Sequence, residues 1–273
     1  MKVNLNVAGA FNKFNIIIKQ ILKNKNVNFT VFDGVENLPW NGGRVNYLYN
    51  TNFDLDKLKI YNKLGVGVFI TFSNQFIDIT DKRGNEILEY LNVSSLNGVI
   101  IVNENLRKHI RENFKNLKIM FSVTGFNELD LNFIKNLETK YDLICPRFEW
   151  VFNPKFYHNV NSEKYKIMLN DTCKENCELW SKHFLKINEA NRDNISDPNV
   201  LRKIQECWIK NEIDNPNNGW RCNSPNSGMD LNKYDIKKCL KIGYHNFKLS
   251  GREMQPNEFK NDLESYLNIF SRI

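Results

Sequence analysis

The sequence lacks a long apolar run, an export segment at its start and a linker rich in Gly, Ser or Pro. A membrane-spanning helix needs roughly 18 to 20 apolar residues, and no stretch approaches that length. Residues 1–6 form no apolar segment followed by a small-residue cleavage site, so nothing indicates export. We therefore expect a cytoplasmic protein without a membrane span, folded as a single domain over residues 1–273.

Several well-known catalytic motifs are also missing. The sequence contains no Walker A loop, no GxGxxG dinucleotide fingerprint, no HExxH helix and no GxSxG elbow. These absences exclude P-loop nucleotide hydrolysis, Rossmann-type oxidoreduction, zincin peptidases and α/β-hydrolases. Because export is not indicated, the six cysteines are expected to be thiols or metal ligands rather than a disulfide framework.

The composition is that of an ordinary globular chain. Hydrophobic residues make up 41% and aromatic residues 12%, which is enough apolar surface to form a core and argues against disorder. The 38 Lys and Arg exceed the 31 Asp and Glu, a net charge of +7 that tolerates an RNA partner without requiring one. The sequence contains 44 asparagines, and we attribute this excess to AT-rich coding bias rather than to chemistry.

Short apolar runs alternate with amphipathic stretches along the chain. Eight runs have the length and residue types of strands: Val3–Val7, Val27–Phe32, Gly67–Phe72, Val99–Val102, Lys118–Val123, Asp142–Cys145, Tyr165–Leu169 and His245–Leu249. Helical spacing between them includes Asp54–Leu64, with Asp54 as N-cap and Gly65 as stop. Eight strands with intervening helices predict a (β/α)8 TIM-barrel-like fold, and an open doubly wound sheet is the alternative.

Residues 171–230, between the last two strands, are too many for one strand-to-helix connection. We interpret them as a cysteine-bearing insertion on the C-terminal face of the barrel, where such folds place their active sites. Cys173 and Cys177 open this insertion. A helix that starts near Lys174 would put both sulfurs on one face at i,i+4 spacing, within reach of one metal centre.

Two further cysteines, Cys207 and Cys222, lie in the same insertion. Together with Cys173 and Cys177 they could complete a four-thiolate site, and thiolates suit both iron–sulfur clusters and zinc. Cys239 lies on an apolar helical stripe with Ile236, and we expect it in the core. Cys145 ends a buried strand, so it is expected in the core or in a pocket wall, with the alternative that it replaces one ligand.

A second group of candidate residues is basic. Lys248-Leu249-Ser250-Gly251-Arg252 ends the last strand, where a guanidinium could hold an anion or a carboxylate; an ion pair of purely structural role is the alternative. Arg147 and Glu149 follow the sixth strand, at the end where barrel active sites draw their residues.

Two stretches resemble the collagenase-like U-type peptidase family. Asn170 to His183, with its Cys-x3-Cys, looks like the family's Asn-x-x-Cys-x3-Cys stretch, and Lys248 to Arg252 looks like its Lys-[Ile/Leu]-x-Gly-Arg strand end. The resemblance implies a barrel-like α/β fold and, as in several members, a 4Fe-4S cluster used in oxygen-independent hydroxylation of RNA bases or ubiquinone precursors. It also implies a substrate-binding role for Asn170 and His183.

The resemblance leaves three functions open. The first is an iron–sulfur enzyme that modifies RNA or a small aromatic substrate, with the cluster on the four insertion cysteines and an anionic group held by Lys248 and Arg252. The second is a peptidase or other hydrolase, with zinc as the alternative metal. The third is a non-catalytic binding protein that has a structural metal site and a protein partner.

Overall fold

The computed structural model describes residues 2–46, 51–174, 176–205, 227–251 and 254–272. The described residues form ten strands: β1 (Val3–Ala8), β2 (Val27–Asp33), β3 (Gly67–Phe72), β4 (Gly98–Ile101), β5 (Lys118–Phe121), β6 (Leu143–Ile144), β7 (Lys166–Met168), β8 (Asn170–Lys174), β9 (Ser227–Asp230) and β10 (Asn246–Leu249). They also form ten α-helices: α1 (Phe14–Lys23), α2 (Leu55–Lys63), α3 (Lys82–Leu91), α4 (Glu104–Asn113), α5 (Leu131–Lys140), α6 (Pro154–Tyr157), α7 (Trp180–Arg192), α8 (Pro198–Gln205), α9 (Lys233–Ile242) and α10 (Pro256–Phe270).

Eight of the strands form one parallel sheet in the order β6-β5-β4-β3-β2-β1-β10-β7. A parallel bridge between Ile144 and Tyr165 joins its two ends, so the sheet is a nearly closed barrel. The predicted TIM-barrel-like fold is therefore confirmed, and the alternative of an open doubly wound sheet is wrong. β8 and β9 form a separate antiparallel pair between β7 and β10.

The helices around the barrel pack their apolar faces against it, and several begin at a polar N-cap. Asp54 accepts a hydrogen bond from Lys57 N, and Asp81, Asn103 and Asp130 cap the next helices in the same way. Gly65 follows α2 with φ +74°, a conformation that favours glycine, as the sequence predicts. Cys239 is buried on α9 beside Ile236, which confirms its place in the core.

Strand side chains alternate between two cores. Outward-facing residues such as Leu5, Val31 and Ile70 pack under the helices, and inward-facing residues such as Phe32, Phe69 and Ile100 fill part of the barrel interior. No helix within the described ranges combines the length and the apolar character needed to cross a bilayer.

Candidate functional site

The helix α7, which belongs to the predicted insertion, lies at the C-terminal end of the barrel. Trp180, Phe184 and Ile187 of α7 share one apolar cluster with the inward-facing side chains of the strands. The barrel residues in this cluster are Ala8, Phe32, Phe69, Ile100, Met120, Cys145 and Met168. α7 therefore packs directly over the mouth where barrel enzymes assemble their active sites.

Hydrogen bonds of buried asparagines join α7 to the loops at the barrel mouth. The Asn191 amide donates to the carbonyls of Asn41 and Arg44 at 2.9 and 2.8 Å and accepts a bond from Asn46 N at 2.8 Å. Asn74, in the loop after β3, donates to Asn188 O on α7 at 3.0 Å. Backbone carbonyls buried between loops must find donors, and these amides supply them.

Arg147 and Glu149 form an ion pair, and both side chains are less than a tenth exposed. The guanidinium of Arg147 also lies 4.7 Å from the ring centroid of Trp180 and donates to Asn127 O at 2.8 Å. The pair thus joins the loop after β6 to the first turn of α7. The structure places these two predicted substrate-binding residues at the mouth, in contact with the insertion.

The expected helix near Lys174 is wrong. Cys173 lies in β8, whose residues Asn170, Asp171 and Lys174 pair with Asp230, Met229 and Ser227 of β9. The chain then turns at Asn176, which has φ +53°, and α7 begins only at Trp180. The two sulfurs therefore do not share a helical face. Strand pairing with residues more than fifty positions away outweighs the local helical spacing.

Cys173 and Cys177 nevertheless pack against the same cluster. Both are partly buried against the apolar cluster at the barrel mouth. All four cysteines in the described ranges, the other two being Cys145 and Cys239, are thiols rather than disulfides. Cys207 and Cys222 lie outside the described residues. Within the described part of the chain, no three His, Cys, Asp or Glu side chains are grouped closely enough to hold a metal ion.

Asp171 connects the cysteine-bearing turn to the barrel interior. Its carboxylate accepts a hydrogen bond from Cys173 N at 3.0 Å. The same carboxylate is close enough to Cys145 to raise the pKa of that buried thiol, while Lys248 and Lys166 act in the opposite direction. Burial is the largest cause and keeps the pKa of Cys145 above its usual range, so the thiol is protonated and a poor metal ligand.

The interior below the mouth is polar. Asn6 of β1, Thr30 of β2 and Lys248 of β10 are register partners and point inward together. Lys166 of β7 reaches the same layer, since its Nζ lies 3.4 Å from Thr30 Oγ1. Lys166 and Lys248 are only 3% and 6% exposed, although lysines are seldom buried this deeply.

The remaining predicted residues have different surroundings. Asn170 bridges two strand ends, since its amide donates to Ser250 O at 3.2 Å and accepts from Ser250 N at 2.8 Å. His183 is partly buried on α7, with its ring stacked on Phe184 at 5.7 Å. Gly251 has φ +132°, so the turn after β10 requires glycine. Arg252 lies outside the described residues.

Lys166, Asn6 and Thr30 were not among the residues predicted from the sequence. A signal was present, because the strands of a parallel barrel are usually apolar on both faces. Asn4 and Asn6 interrupt β1 at every second residue, and Lys166 and Lys248 occupy inward positions of two neighbouring strands. Polar residues at alternate positions of buried strands indicate a polar barrel interior.

Comparison with known proteins supports the fold. No protein-family model matches the sequence, and no curated protein matches it either. Among solved structures, the U32 peptidase Mk0906 is similar over 92% of this chain and 93% of its own, with a TM-score of 0.56 and 12% sequence identity. At this identity the likeness concerns the fold alone. The chain has a U32 peptidase-like fold.

Proposed function

We propose that the protein is an iron–sulfur enzyme whose 4Fe-4S cluster is bound at the barrel mouth by Cys173, Cys177, Cys207 and Cys222. One observation carries the proposal: Cys173 and Cys177 come from a strand and from the turn that leads into α7, yet both pack against the same apolar cluster. Partly buried thiols at the C-terminal end of a barrel are suitable cluster ligands, because apolar surroundings exclude water from the sulfurs.

The chemistry of the donor set fits such a group. Cys173 and Cys177 are thiols and are partly exposed, so an incoming iron atom can reach them. Cys145 and Cys239 are fully buried, and burial raises the pKa of both thiols, that of Cys239 to about 12. Thiols with raised pKa resist the deprotonation that metal binding needs. This contrast favours Cys173 and Cys177 over the two core cysteines.

We further propose that the reaction is an oxygen-independent hydroxylation or related redox modification of RNA or a small aromatic substrate. When bound, the cluster supplies electron transfer. The chain's own residues position the substrate: Lys248 and Arg252 hold an anionic group, and Asn170, His183, Arg147 and Glu149 shape the mouth. The net charge of +7 favours an anionic partner.

Purification under anaerobic conditions tests this proposal. We expect brown protein with about four iron and four sulfide per chain, and a reduced-state EPR signal that changes when RNA or a small aromatic acid is added. Colourless protein after anaerobic reconstitution would overturn it, as would zinc in place of iron. Peptidase activity that survives chelation and the Cys173→Ser substitution would favour the hydrolase alternative, and an EPR signal indifferent to every substrate would favour a structural cluster.

A further inference from the structure

The polar layer inside the barrel lies between an apolar layer and a layer of asparagines. Towards the mouth it is covered by Phe32, Phe69 and Met168 of the apolar cluster. Towards the other end, Asn28 donates to Asn4 at 3.0 Å and Asn4 donates to Asn246 at 2.9 Å. We call the polar layer between them the lysine chamber; it consists of the inward-facing side chains of Asn6, Thr30, Lys166 and Lys248.

The amide of Asn6 is the clearest sign that the lysine chamber holds a ligand. Asn6 is 0% exposed, and neither its Nδ2 nor its Oδ1 has a hydrogen-bond partner among the described residues. A buried amide without partners destabilises the folded protein, and a bound ligand that pairs with it would remove that cost. Thr30, the register partner of Asn6 on β2, is partly exposed, so solvent reaches the edge of this layer.

The charges in the chamber indicate the chemistry of that ligand. Lys248 lies 4.4 Å from the ring centroid of Phe32, and Lys166 lies 5.7 Å from that of Phe69. Burial and then the charge of Lys248 lower the pKa of Lys166 to about 7, which shows that the chamber as formed by the protein penalises the second ammonium group. An anion that accepts a hydrogen bond from Lys166 would offset this penalty.

We propose that the lysine chamber binds a small oxyanion, a phosphate or a carboxylate, whose oxygens accept hydrogen bonds from Lys166, Lys248 and the Nδ2 group of Asn6. Asn6 Oδ1 then accepts from an ammonium group or from a proton of the ligand. This site shares only Lys248 with the proposed function, in which Lys248 also holds an anionic group. Binding of the oxyanion does not require the cluster.

Isothermal titration calorimetry of the full-length protein in Tris-chloride tests the proposal, with inorganic phosphate and malonate as probes and sodium chloride of equal ionic strength as reference. We expect saturable binding of at least one probe and a concentration-dependent rise in Tm. Lys166→Met should weaken binding about tenfold or more, since a hydrogen bond to a charged group is lost. Lys63→Met removes the same charge from the exposed end of α2 and should change nothing.

Asn6→Asp provides the decisive variant, because it places a carboxylate inside the chamber. We expect a higher Tm in chloride alone and no further rise when phosphate or malonate is added. If neither probe binds the wild type, or if Asn6→Asp binds them as well as the wild type does, the chamber holds only water and the proposal is wrong. These results do not depend on iron content, so they are distinguishable from failure of the proposed cluster.

Discussion

Replacing Lys166 by methionine removes one of the two buried ammonium groups and keeps a long apolar side chain in its place. The pKa of Lys166 is lowered from its usual 10.5 to about 7, first by burial and second by Lys248. The remaining titratable groups that act on it are Cys145, which follows β6, and Lys118 on β5. In the unfolded chain the same lysine is exposed and keeps its usual pKa.

This difference sets the sign of the pH dependence. Between pH 7 and 10.5 the unfolded chain binds more protons at Lys166 than the folded protein does, so the wild type becomes more stable as the pH rises. The methionine side chain cannot titrate, so the variant lacks this contribution. Lys166→Met should therefore be more stable than the wild type near pH 7, and its advantage should shrink as the pH rises.

The size follows from the two pKa values. One pKa unit corresponds to about 1.4 kcal/mol, so the advantage should decrease by about 3 kcal/mol between about pH 7 and about pH 9.5. Urea denaturation in chloride buffers, followed by circular dichroism, measures the free energy of unfolding of both proteins at both pH values. Lys63→Met is the matched control. A difference between Lys166→Met and wild type that does not change with pH would refute the reasoning.

Three further substitutions test the attachment and packing of the barrel loops, each by urea denaturation against wild type. Asn191→Ala removes three hydrogen bonds between α7 and the mouth loops, and we expect a loss of about 2 to 3 kcal/mol; an unchanged stability would show that α7 is held otherwise. Glu149→Gln leaves the buried charge of Arg147 without its carboxylate, and the free energy of unfolding should fall by about 3 kcal/mol. Replacing both residues by apolar ones should lower it less. Equal losses in the single and the double variant would contradict a buried ion pair. Gly84→Ala places a Cβ 2.6 Å from the buried ring of Trp40. We expect the free energy of unfolding to fall by about 1 to 3 kcal/mol and the tryptophan fluorescence to change. An unchanged stability would mean that the ring moves freely.

Local sequence patterns were sufficient to predict most of the barrel. Gly67–Phe72 is predicted and observed with the same bounds, and Asp54 caps α2 as expected. Both predictions depend on residues that are neighbours in sequence. The strand is an uninterrupted apolar run, and the Asp54 carboxylate accepts a hydrogen bond from a backbone N–H three residues later. The position of α7 at the mouth also follows from local reasoning, because α7 lies between two strands whose ends meet there.

Features that depend on distant partners were not predictable in this way. β8 forms because Asn170–Lys174 pairs with Ser227–Asp230, and nothing within the Cys-x3-Cys stretch indicates that partner. The structural roles of Asn191 and Asn74, which hold α7 and the loops at the mouth, were likewise not predicted from the asparagine content. A side-chain amide that donates a hydrogen bond to a carbonyl 150 residues away leaves no periodic pattern in the sequence.

The most direct test of the proposed cluster is the iron and sulfide content of three anaerobically purified proteins. The wild type should contain about four of each, Cys173→Ser should lose them, and Cys239→Ser should retain them with a stability loss of about 1 to 3 kcal/mol. Serine remains protonated where a ligand thiolate is required, whereas the buried Cys239 thiol has its pKa raised to about 12 and resists the deprotonation that metal binding needs. Iron that persists in Cys173→Ser and disappears in Cys239→Ser would contradict the account.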